Sequence, residues 1–248
     1  QMPYGMLLST GPAGSGKTTL LYSILNTLAS PEKNIITLED PVEYQLQNVR
    51  QSQIHPERNF TFEAGIRSIL RQDPDIIMVG EIRDGVTAET AIQASLTGRL
   101  LLSTLHANSS VGTIARLLHM KIDRSLIAYA LNGVVAQRLV RRVCQACKAP
   151  YSPEPHVLEL LGVAPGTMEF IKGTGCDKCG KTGFQGRIGI FEILIVDNDL
   201  RKAIVEHEPI DKIQLLADQK GLKTLRADGI RKISAGLTTP EEILRISI

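Results

Sequence analysis

Short apolar runs alternate with stretches of helical periodicity over the first half of the chain. The apolar runs predict buried strands over residues 5–10, 34–38, 49–54, 76–79 and 100–105. Apolar residues at helical spacing predict helices over residues 18–28, 60–72, 87–96, 111–119 and 124–131. Strands and helices that alternate in this order are typical of an α/β fold.

The second half of the chain predicts a helix over residues 154–161, a strand over 187–195 and three or four short helices at the carboxyl end. Pro240 stands in the first turn of the last helix, where its missing N–H costs nothing. We interpret these last helices as packing surface or subunit interface. Threonines at the starts of three helices are the predicted N-caps: Thr61, Thr87 and Thr239.

A glycine-rich segment follows the first predicted strand and matches the phosphate-binding pattern G-x-x-x-x-G-K-[ST]. Its residues are Gly11, Pro12, Ala13, Gly14, Ser15, Gly16, Lys17 and Thr18, with Thr19 following. Glycines let the backbone point successive N–H groups inward, and the helix N-terminus adds positive potential where phosphates would bind. Lys17 can reach the β- and γ-phosphates, and the Thr18 hydroxyl can ligate Mg²⁺. The segment predicts a nucleoside triphosphate site, and the alternative is a turn with a structural role only.

Acidic residues stand at the ends of two predicted strands. Glu39, Asp40 and Glu43 follow the strand over 34–38, and Glu81 follows the strand over 76–79. Carboxylates beside a phosphate loop can orient water or hold Mg²⁺. Glu81 resembles a Walker B acid, but it is a glutamate displaced by one glycine. A solvated acidic turn is the alternative interpretation of the group at 39–43.

Other polar side chains near this predicted site carry weaker signals. His106 follows the strand over 100–105, at the strand end where ligands bind in doubly wound sheets. It is either a sensor of the γ-phosphate or a structural histidine. Arg67 and Arg71 lie four residues apart on one helical face, and they serve either surface solubility or contact with phosphate or another subunit.

The four cysteines of the chain form two C-x-x-C pairs, which are Cys144 with Cys147 and Cys176 with Cys179. Two such knuckles predict a tetrahedral Zn²⁺ site of structural type, because four cysteine ligands leave no open position for catalysis. Redox chemistry and an iron–sulfur cluster remain alternatives. Glycines around the second knuckle, Gly175 among them, supply its tight turns.

Composition changes this picture in three ways. The chain has 248 residues, enough for one large α/β domain and a smaller appendage, with a net charge of only +2. Aromatic residues make up 4% and tryptophan is absent, so neither a basic footprint nor a base-stacking platform for nucleic acid is indicated. No apolar run approaches the roughly 20 residues that span a bilayer. The first predicted strand begins at Gly5, so we expect an excised domain of a longer protein.

Several stretches taken together resemble one family. They are GPAGSGKTT at 11–19, TLEDPVEY at 37–44, LRQDPDIIMVGEIRD at 70–84, ASLTGRLLLSTLHANSS at 94–110, AQRLVRRVCQAC at 136–147 and GRIGIFEI at 186–193. The order and the sequences of these motifs resemble those of the secretion-superfamily ATPases that drive type II secretion and type IV pilus assembly. The resemblance implies a RecA-like P-loop NTPase core over residues 1–142. It also implies an inserted tetracysteine zinc subdomain over 143–186 and a small, mainly helical carboxyl-terminal subdomain over 187–248.

The resemblance also implies roles for particular residues. Lys17 and Thr18 match the Walker A positions, and Glu39 corresponds to the catalytic glutamate that activates water. Glu81 matches the atypical Walker B glutamate of the family. His106 matches the second position of the His box, whose first position is Arg99 here.

The implied function is Mg²⁺-dependent ATP hydrolysis by a ring-forming, hexameric motor. Its expected cofactors are ATP, Mg²⁺ and structural Zn²⁺. Its expected partners are further copies of the same chain and an inner-membrane platform, which would place it at the cytoplasmic face of that membrane; direct contact with nucleic acid is not expected. In the family, a preceding domain supplies arginines to the nucleotide. Two alternatives stay open: a related motor for DNA uptake or translocation, and a nucleotide-dependent zinc-ribbon module that binds nucleic acid.

Overall fold

The computed structural model describes residues 4–164 and 166–247. These residues form two compact units. The first unit contains the residues up to Ala136 together with Ile193–Leu222. The second contains Gln137–Glu192 together with the residues from Lys223 onward. The domain boundaries at 142 and 186 stay a prediction.

The described residues contain strands at every position where the sequence predicts one. The strands are β1 Gly5–Thr10, β2 Ile35–Glu39, β3 Arg50–Gln53, β4 Ile76–Val79, β5 Leu100–Leu105, β6 Leu131–Val143, β7 Lys148–Tyr151, β8 Phe170–Gly173 and β9 Phe184–Ile195. Three of them, β6, β7 and β8, are elements that the sequence pattern did not indicate.

Ten α-helices lie within the described residues. They are α1 Lys17–Leu28, α2 Phe62–Ile69, α3 Gly85–Ser95, α4 Ser110–His119, α5 Arg124–Ala130, α6 Pro155–Leu161, α7 Asn198–Val205, α8 Ile210–Gln219, α9 Leu225–Ser234 and α10 Pro240–Ser247. None of the helices in this part of the chain has the length and apolar character needed to cross a lipid bilayer. The last helix begins at Pro240, as predicted.

Two predicted helix starts have different outcomes. The Thr61 hydroxyl accepts a hydrogen bond from the backbone N–H of Ala64 at 3.3 Å, so the prediction that it caps α2 is confirmed. The prediction that Thr87 caps α3 is wrong. The carboxylate of Asp84 caps that helix instead, by accepting from the backbone N–H of Thr87 at 2.8 Å. An aspartate three residues ahead of the threonine is an equally good N-cap, and the helix begins one turn earlier because of it.

The first unit is built on a mixed α/β arrangement with a parallel sheet. The sheet runs in the order β3-β2-β4-β5-β1-β6-β9, and β6 and β9 enter this unit through residues 131–136 and 193–195. Neighbouring strands from β3 to β6 pair in parallel. The carboxyl ends of parallel strands meet at one edge, so the segments that follow β1, β2, β4 and β5 are gathered there.

Alternation along β4 shows why its sequence is a continuous apolar run. Ile77 and Val79 belong to a core cluster on one face of the sheet, while Ile76 and Met78 belong to a second cluster that α1 covers with Leu21. A strand with both faces buried has no polar positions to offer. The two clusters bury both faces of the sheet at β4.

The second unit has its own core. Strands β7 and β8 pair in antiparallel register, with Tyr151 opposite Phe170. The core of the unit is a cluster of apolar residues from its strands and helices: Val140, Leu158, Leu161, Val163, Phe170, Ile190, Ile233 and Ile243. A buried carboxylate, Glu242, lies in the same unit and pairs with the guanidinium groups of Arg141 and Arg245.

Candidate nucleotide site and cysteine cluster

The glycine-rich segment connects β1 to α1 and ends at Gly16, which has φ of 87°. This left-handed conformation is open to glycine and strained for most other residues. No side chain among the described residues caps α1, so its first backbone N–H groups face the loop. The hydroxyl of Ser15 is buried in the loop without a hydrogen-bond partner in the part of the chain described. These features suit a loop that binds an anion at a helix N-terminus.

Lys17 stands at the first position of α1 and is 9% exposed. Its ammonium donates to the carbonyl oxygens of Gly11 and Pro12, each at 2.9 Å. The side chain therefore lies along the inside of the loop, with its charge beside the backbone that the glycine pattern predicted to bind phosphate.

The loop and the strand ends open on one cavity of about 220 Å³. Its lining combines residues of the loop and of α1 with residues in or just after the last positions of β2, β4 and β5: Ala13, Lys17, Thr18, Leu21, Glu39, Asp40, Pro41, Glu43, Met78, Gly80, Glu81, Thr104 and His106. The cavity thus brings Lys17 and Thr18 together with Glu39, Glu81 and His106, as the sequence predicted. Six residues of the predicted nucleotide-binding segment are not part of this lining: Gly11, Pro12, Gly14, Ser15, Gly16 and Thr19, the last of which is exposed on α1.

Glu39 is the last residue of β2 and is only 2% exposed. The Tyr22 hydroxyl donates to its Oε2 atom. The Thr37 hydroxyl and the Gln51 amide donate to its Oε1 atom, the latter at 3.1 Å. Three side chains therefore fix the orientation of this carboxylate.

Glu81 follows β4 and lines the same cavity as Glu39. The guanidinium group of Arg83 donates to its Oε1 atom and lies 3.7 Å from a carboxylate oxygen of Asp40. The Nε2 atom of His106 is 4.0 Å from the Oε2 atom of Glu81. Burial and the nearby Lys17 ammonium lower the pKa of His106, so its imidazole is neutral at neutral pH.

The donor set of the cavity fits a nucleoside triphosphate with Mg²⁺. Backbone N–H groups and the Lys17 ammonium are donors for phosphate oxygens, and the buried Ser15 hydroxyl has no hydrogen-bond partner among the described residues. The Thr18 hydroxyl and the carboxylates of Glu39, Asp40 and Glu81 are hard oxygen ligands of the kind that Mg²⁺ prefers.

The four cysteines meet in the second unit, with all four sulfur atoms within 4.8 Å of one another. Three of the separations between sulfur atoms are 3.9, 3.9 and 3.8 Å. Zn–S bonds of about 2.3 Å in a tetrahedron separate neighbouring sulfur atoms by roughly 3.8 Å. The residues present therefore fit a structural zinc ion.

The backbone around the second knuckle favours thiolate. The sulfur of Cys179 accepts from the backbone N–H groups of Cys176 at 3.2 Å and Gly183 at 3.3 Å. The first of these hydrogen bonds, more than any other cause, lowers the pKa of Cys179 to about 6. Gly175 has φ of 94°, and a Cβ atom there would lie 2.7 Å from the carbonyl oxygen of Lys181. The tight turn predicted at this glycine is present.

Sequence reasoning missed the residues that surround the candidate catalytic carboxylates. Tyr22, Thr37 and Gln51 hold Glu39, and Arg83 pairs with Glu81. The one available signal was a tyrosine on the apolar face of α1, because a buried phenol needs a hydrogen-bond partner. Of the arginines that were singled out, Arg67 forms an exposed ion pair with Glu63 on its own helix.

Residues 1–245 match the family described as Type II/IV secretion system protein. The chain belongs to this family. That membership confirms the resemblance drawn from the motif blocks. The mixed α/β fold with a parallel sheet agrees with it.

Curated relatives with high identity come from both branches of the resemblance. Type II secretion system protein E of Dickeya dadantii is 48% identical over 99% of this chain. Type IV pilus assembly ATPase PilB of Thermus thermophilus is also 48% identical over 99% of this chain. The chain spans only 49% and 28% of the length of these two relatives, respectively.

Two solved structures share the fold. The crystal structure of the pilus retraction motor PilT with bound ADP aligns with a TM-score of 0.72 at 28% identity, over 98% of this chain and 61% of that one. The ATPase DotB of Legionella pneumophila aligns with a TM-score of 0.73 at 23% identity, over 99% of this chain and 60% of that one, and so supports the fold alone.

Proposed function

We propose that the chain is the motor domain of an ATPase that hydrolyses ATP with Mg²⁺ to drive assembly of a type IV pilus or a type II secretion pseudopilus. One observation carries this proposal: the glycine-rich loop, Glu39 and Glu81 line the same cavity. Membership in the secretion family and relatives that are named ATPases support it. Glu39 is the proposed catalytic residue, with Lys17 and Glu81 as its partners.

The proposed chemistry follows from the positions of the side chains. The backbone N–H groups of the loop and the Lys17 ammonium bind the β- and γ-phosphates and offset their charge. Thr18 and Glu81 would hold Mg²⁺, which supplies further positive charge to the phosphate oxygens when it is bound. Glu39 orients the attacking water by accepting a hydrogen bond from it, and its carboxylate can take up the proton that the water loses. His106 is the proposed contact of the γ-phosphate at the end of β5.

The assembly around this domain is part of the proposal. We infer a RecA-like core that forms a hexameric ring, in which a preceding domain supplies arginines to the nucleotide. The ring would turn a platform protein at the cytoplasmic face of the inner membrane. The tetracysteine cluster would hold structural Zn²⁺ and stabilise its own subdomain, next to a small helical subdomain at the carboxyl end.

Hydrolysis measured against protein concentration tests the ring. We expect the specific Mg²⁺-ATPase activity of this chain to rise with protein concentration, because the proposed ring forms only when copies of the chain associate. A longer chain that restores the preceding domain is expected to show a jump in activity. A longer chain that binds ATP tightly but stays inactive at every concentration would contradict the motor and favour a nucleotide switch.

A further inference from the structure

Both oxygens of the Glu39 carboxylate accept hydrogen bonds from side chains that the proposed mechanism does not use. The Tyr22 hydroxyl donates to Oε2, while Thr37 and Gln51 donate to Oε1. A carboxylate offers about four lone-pair positions. Three of them are occupied here, so about one lone-pair position is left to accept a hydrogen bond, and the three donors fix its direction.

Tyr22 lies on α1, the helix that begins at the phosphate loop, and is 1% exposed. Its hydroxyl oxygen accepts from the backbone N–H of Glu43 at 3.3 Å while its proton goes to Glu39. Burial, together with the hydrogen bond to Glu39, raises the pKa of Tyr22 well above its ordinary value. The phenol therefore stays protonated and remains a donor at neutral pH.

Gln51 lies on β3, the strand beside Glu39. Its Oε1 atom accepts from the backbone N–H of Leu46 at 2.7 Å, which fixes the orientation of the amide. Its Nε2 atom donates to Glu39 and also to the carbonyl oxygen of Tyr44, each at 3.1 Å. The amide thus ties the segment between β2 and β3 to the carboxylate.

We propose that Tyr22 and Gln51 are positioning residues that aim the Glu39 carboxylate at the attacking water. The inference rests on the proposed catalytic role of Glu39. Tyr22 lies on α1, which begins at the proposed phosphate-binding loop, and Glu39 lies at the end of β2. Their hydrogen bond therefore fixes the position of the Glu39 carboxylate relative to the bound γ-phosphate. Misplacement of such a group slows the chemical step without weakening the contacts to the phosphates.

A split between kcat and nucleotide affinity tests this role. Tyr22→Phe keeps the ring and removes the donor, and Gln51→Leu keeps the approximate volume and removes the amide. We expect kcat of the full-length protein to fall roughly tenfold in each variant, as the loss of a hydrogen bond to a charged group permits. The dissociation constant of a fluorescent, non-hydrolysable ATP analogue is expected to stay within about twofold.

Tyr44→Phe is the matched control. The ring of Tyr44 packs edge-on against Tyr22 with centroids 4.7 Å apart, and its side chain is half exposed. The hydrogen bonds to Glu39 in the described part of the chain come from Tyr22, Thr37 and Gln51, not from Tyr44. The control variant should keep wild-type kcat. If Tyr22→Phe fails to fold in a thermal unfolding scan, Gln51→Leu carries the same test, because Gln51 lies on a short and partly exposed strand.

The Glu39→Gln background separates positioning from other effects. If Tyr22 acts through Glu39, adding Tyr22→Phe to Glu39→Gln changes kcat by less than about twofold. The inference is overturned if the tenfold loss persists in that background, if affinity falls in parallel with kcat, or if both single variants keep wild-type kcat. Wild-type activity in Glu39→Gln itself would instead remove the proposed catalytic role, whatever the Tyr22 variant does.

Discussion

The sulfur atoms of Cys144 and Cys176 lie 3.9 Å apart although 32 positions separate the two residues in sequence. Cys147 and Cys179 repeat this relationship at the same distance. Each knuckle therefore contributes one edge of a tetrahedron, and the two edges face each other. This spacing of the four sulfur atoms fits a tetrahedral zinc site.

Removing a ligand from this cluster should release the metal and destabilise the second unit. We expect the wild-type chain to contain about one zinc ion and Cys176→Ser to contain far less, because serine does not replace a thiolate ligand. The midpoint of thermal unfolding should fall in the variant, since metal binding contributes directly to folding. Metal analysis and calorimetry measure the two effects.

Lys178→Ser is the control for this prediction. Lys178 lies between Cys176 and Cys179 and its side chain is exposed, so its loss should leave zinc content and unfolding unchanged. A wild-type chain without zinc that unfolds at the same temperature as Cys176→Ser would contradict a structural metal. Iron or a disulfide in its place would revive the alternatives that the sequence left open.

Lys17→Ala should weaken ATP binding by at least about tenfold, because charge-assisted hydrogen bonds to phosphate are among the stronger polar contacts. The fold should survive, since the neighbours of the ammonium are carbonyl groups of an accessible loop. Isothermal titration with ATP and Mg²⁺ measures the change. Lys33→Ala, at an exposed lysine away from the cavity, should bind as the wild type does. Equal affinities in the two variants would place the phosphates elsewhere.

Glu242 should make the second unit sensitive to acid. Burial alone would raise the pKa of Glu242, but hydrogen bonds from Arg141 and Arg245 outweigh it and hold the pKa below the ordinary value of 4.5. A carboxyl whose pKa is lower in the folded protein than in the unfolded chain stabilises the fold at pH values above its pKa in the unfolded chain. This stability is lost as the pH falls through its pKa in the folded protein. Glu242→Gln should therefore cost about 2 kcal/mol near neutral pH.

The cost of Glu242→Gln should shrink as the pH falls below about 4.5, because protonation removes the same charge from the wild type. Denaturant unfolding of both proteins across that range gives the difference directly, and the other carboxylates cancel in it. A cost that stays constant with pH would mean that the Arg141 pair contributes through packing rather than through charge.

The central strands and the phosphate loop could be predicted because their signals are local. A strand buried on both faces, such as β4, must be apolar throughout, and the glycine pattern at Gly11–Lys17 has few other uses. Strand β6 was not predicted because its first residues are mostly buried and its later residues are partly exposed along Leu131–Val143. No single hydrophobic periodicity therefore extends over the whole strand. The short pair β7 and β8 lies between the two knuckles, where turn residues hide the pattern.

The layout of the candidate site was predictable only in part. The acidic residues were found because parallel strands end at one edge. The partners of Glu39 were not found, because Tyr22 and Gln51 are 17 and 12 positions away and come together only through strand pairing and the packing of α1. The start of α3 was misplaced for a simpler reason: Asp84 and Thr87 are both good N-caps, and tertiary packing selects between them.

Glu39→Gln tests the account most directly. The measurement is ATP binding and Mg²⁺-ATP hydrolysis by the wild-type and variant full-length proteins under the same conditions. The account predicts that the variant binds ATP with wild-type affinity and loses hydrolysis by roughly 100-fold or more, because the amide cannot accept the proton of the attacking water. A variant that hydrolyses ATP at the wild-type rate would contradict the proposed role of Glu39 and the mechanism built on it.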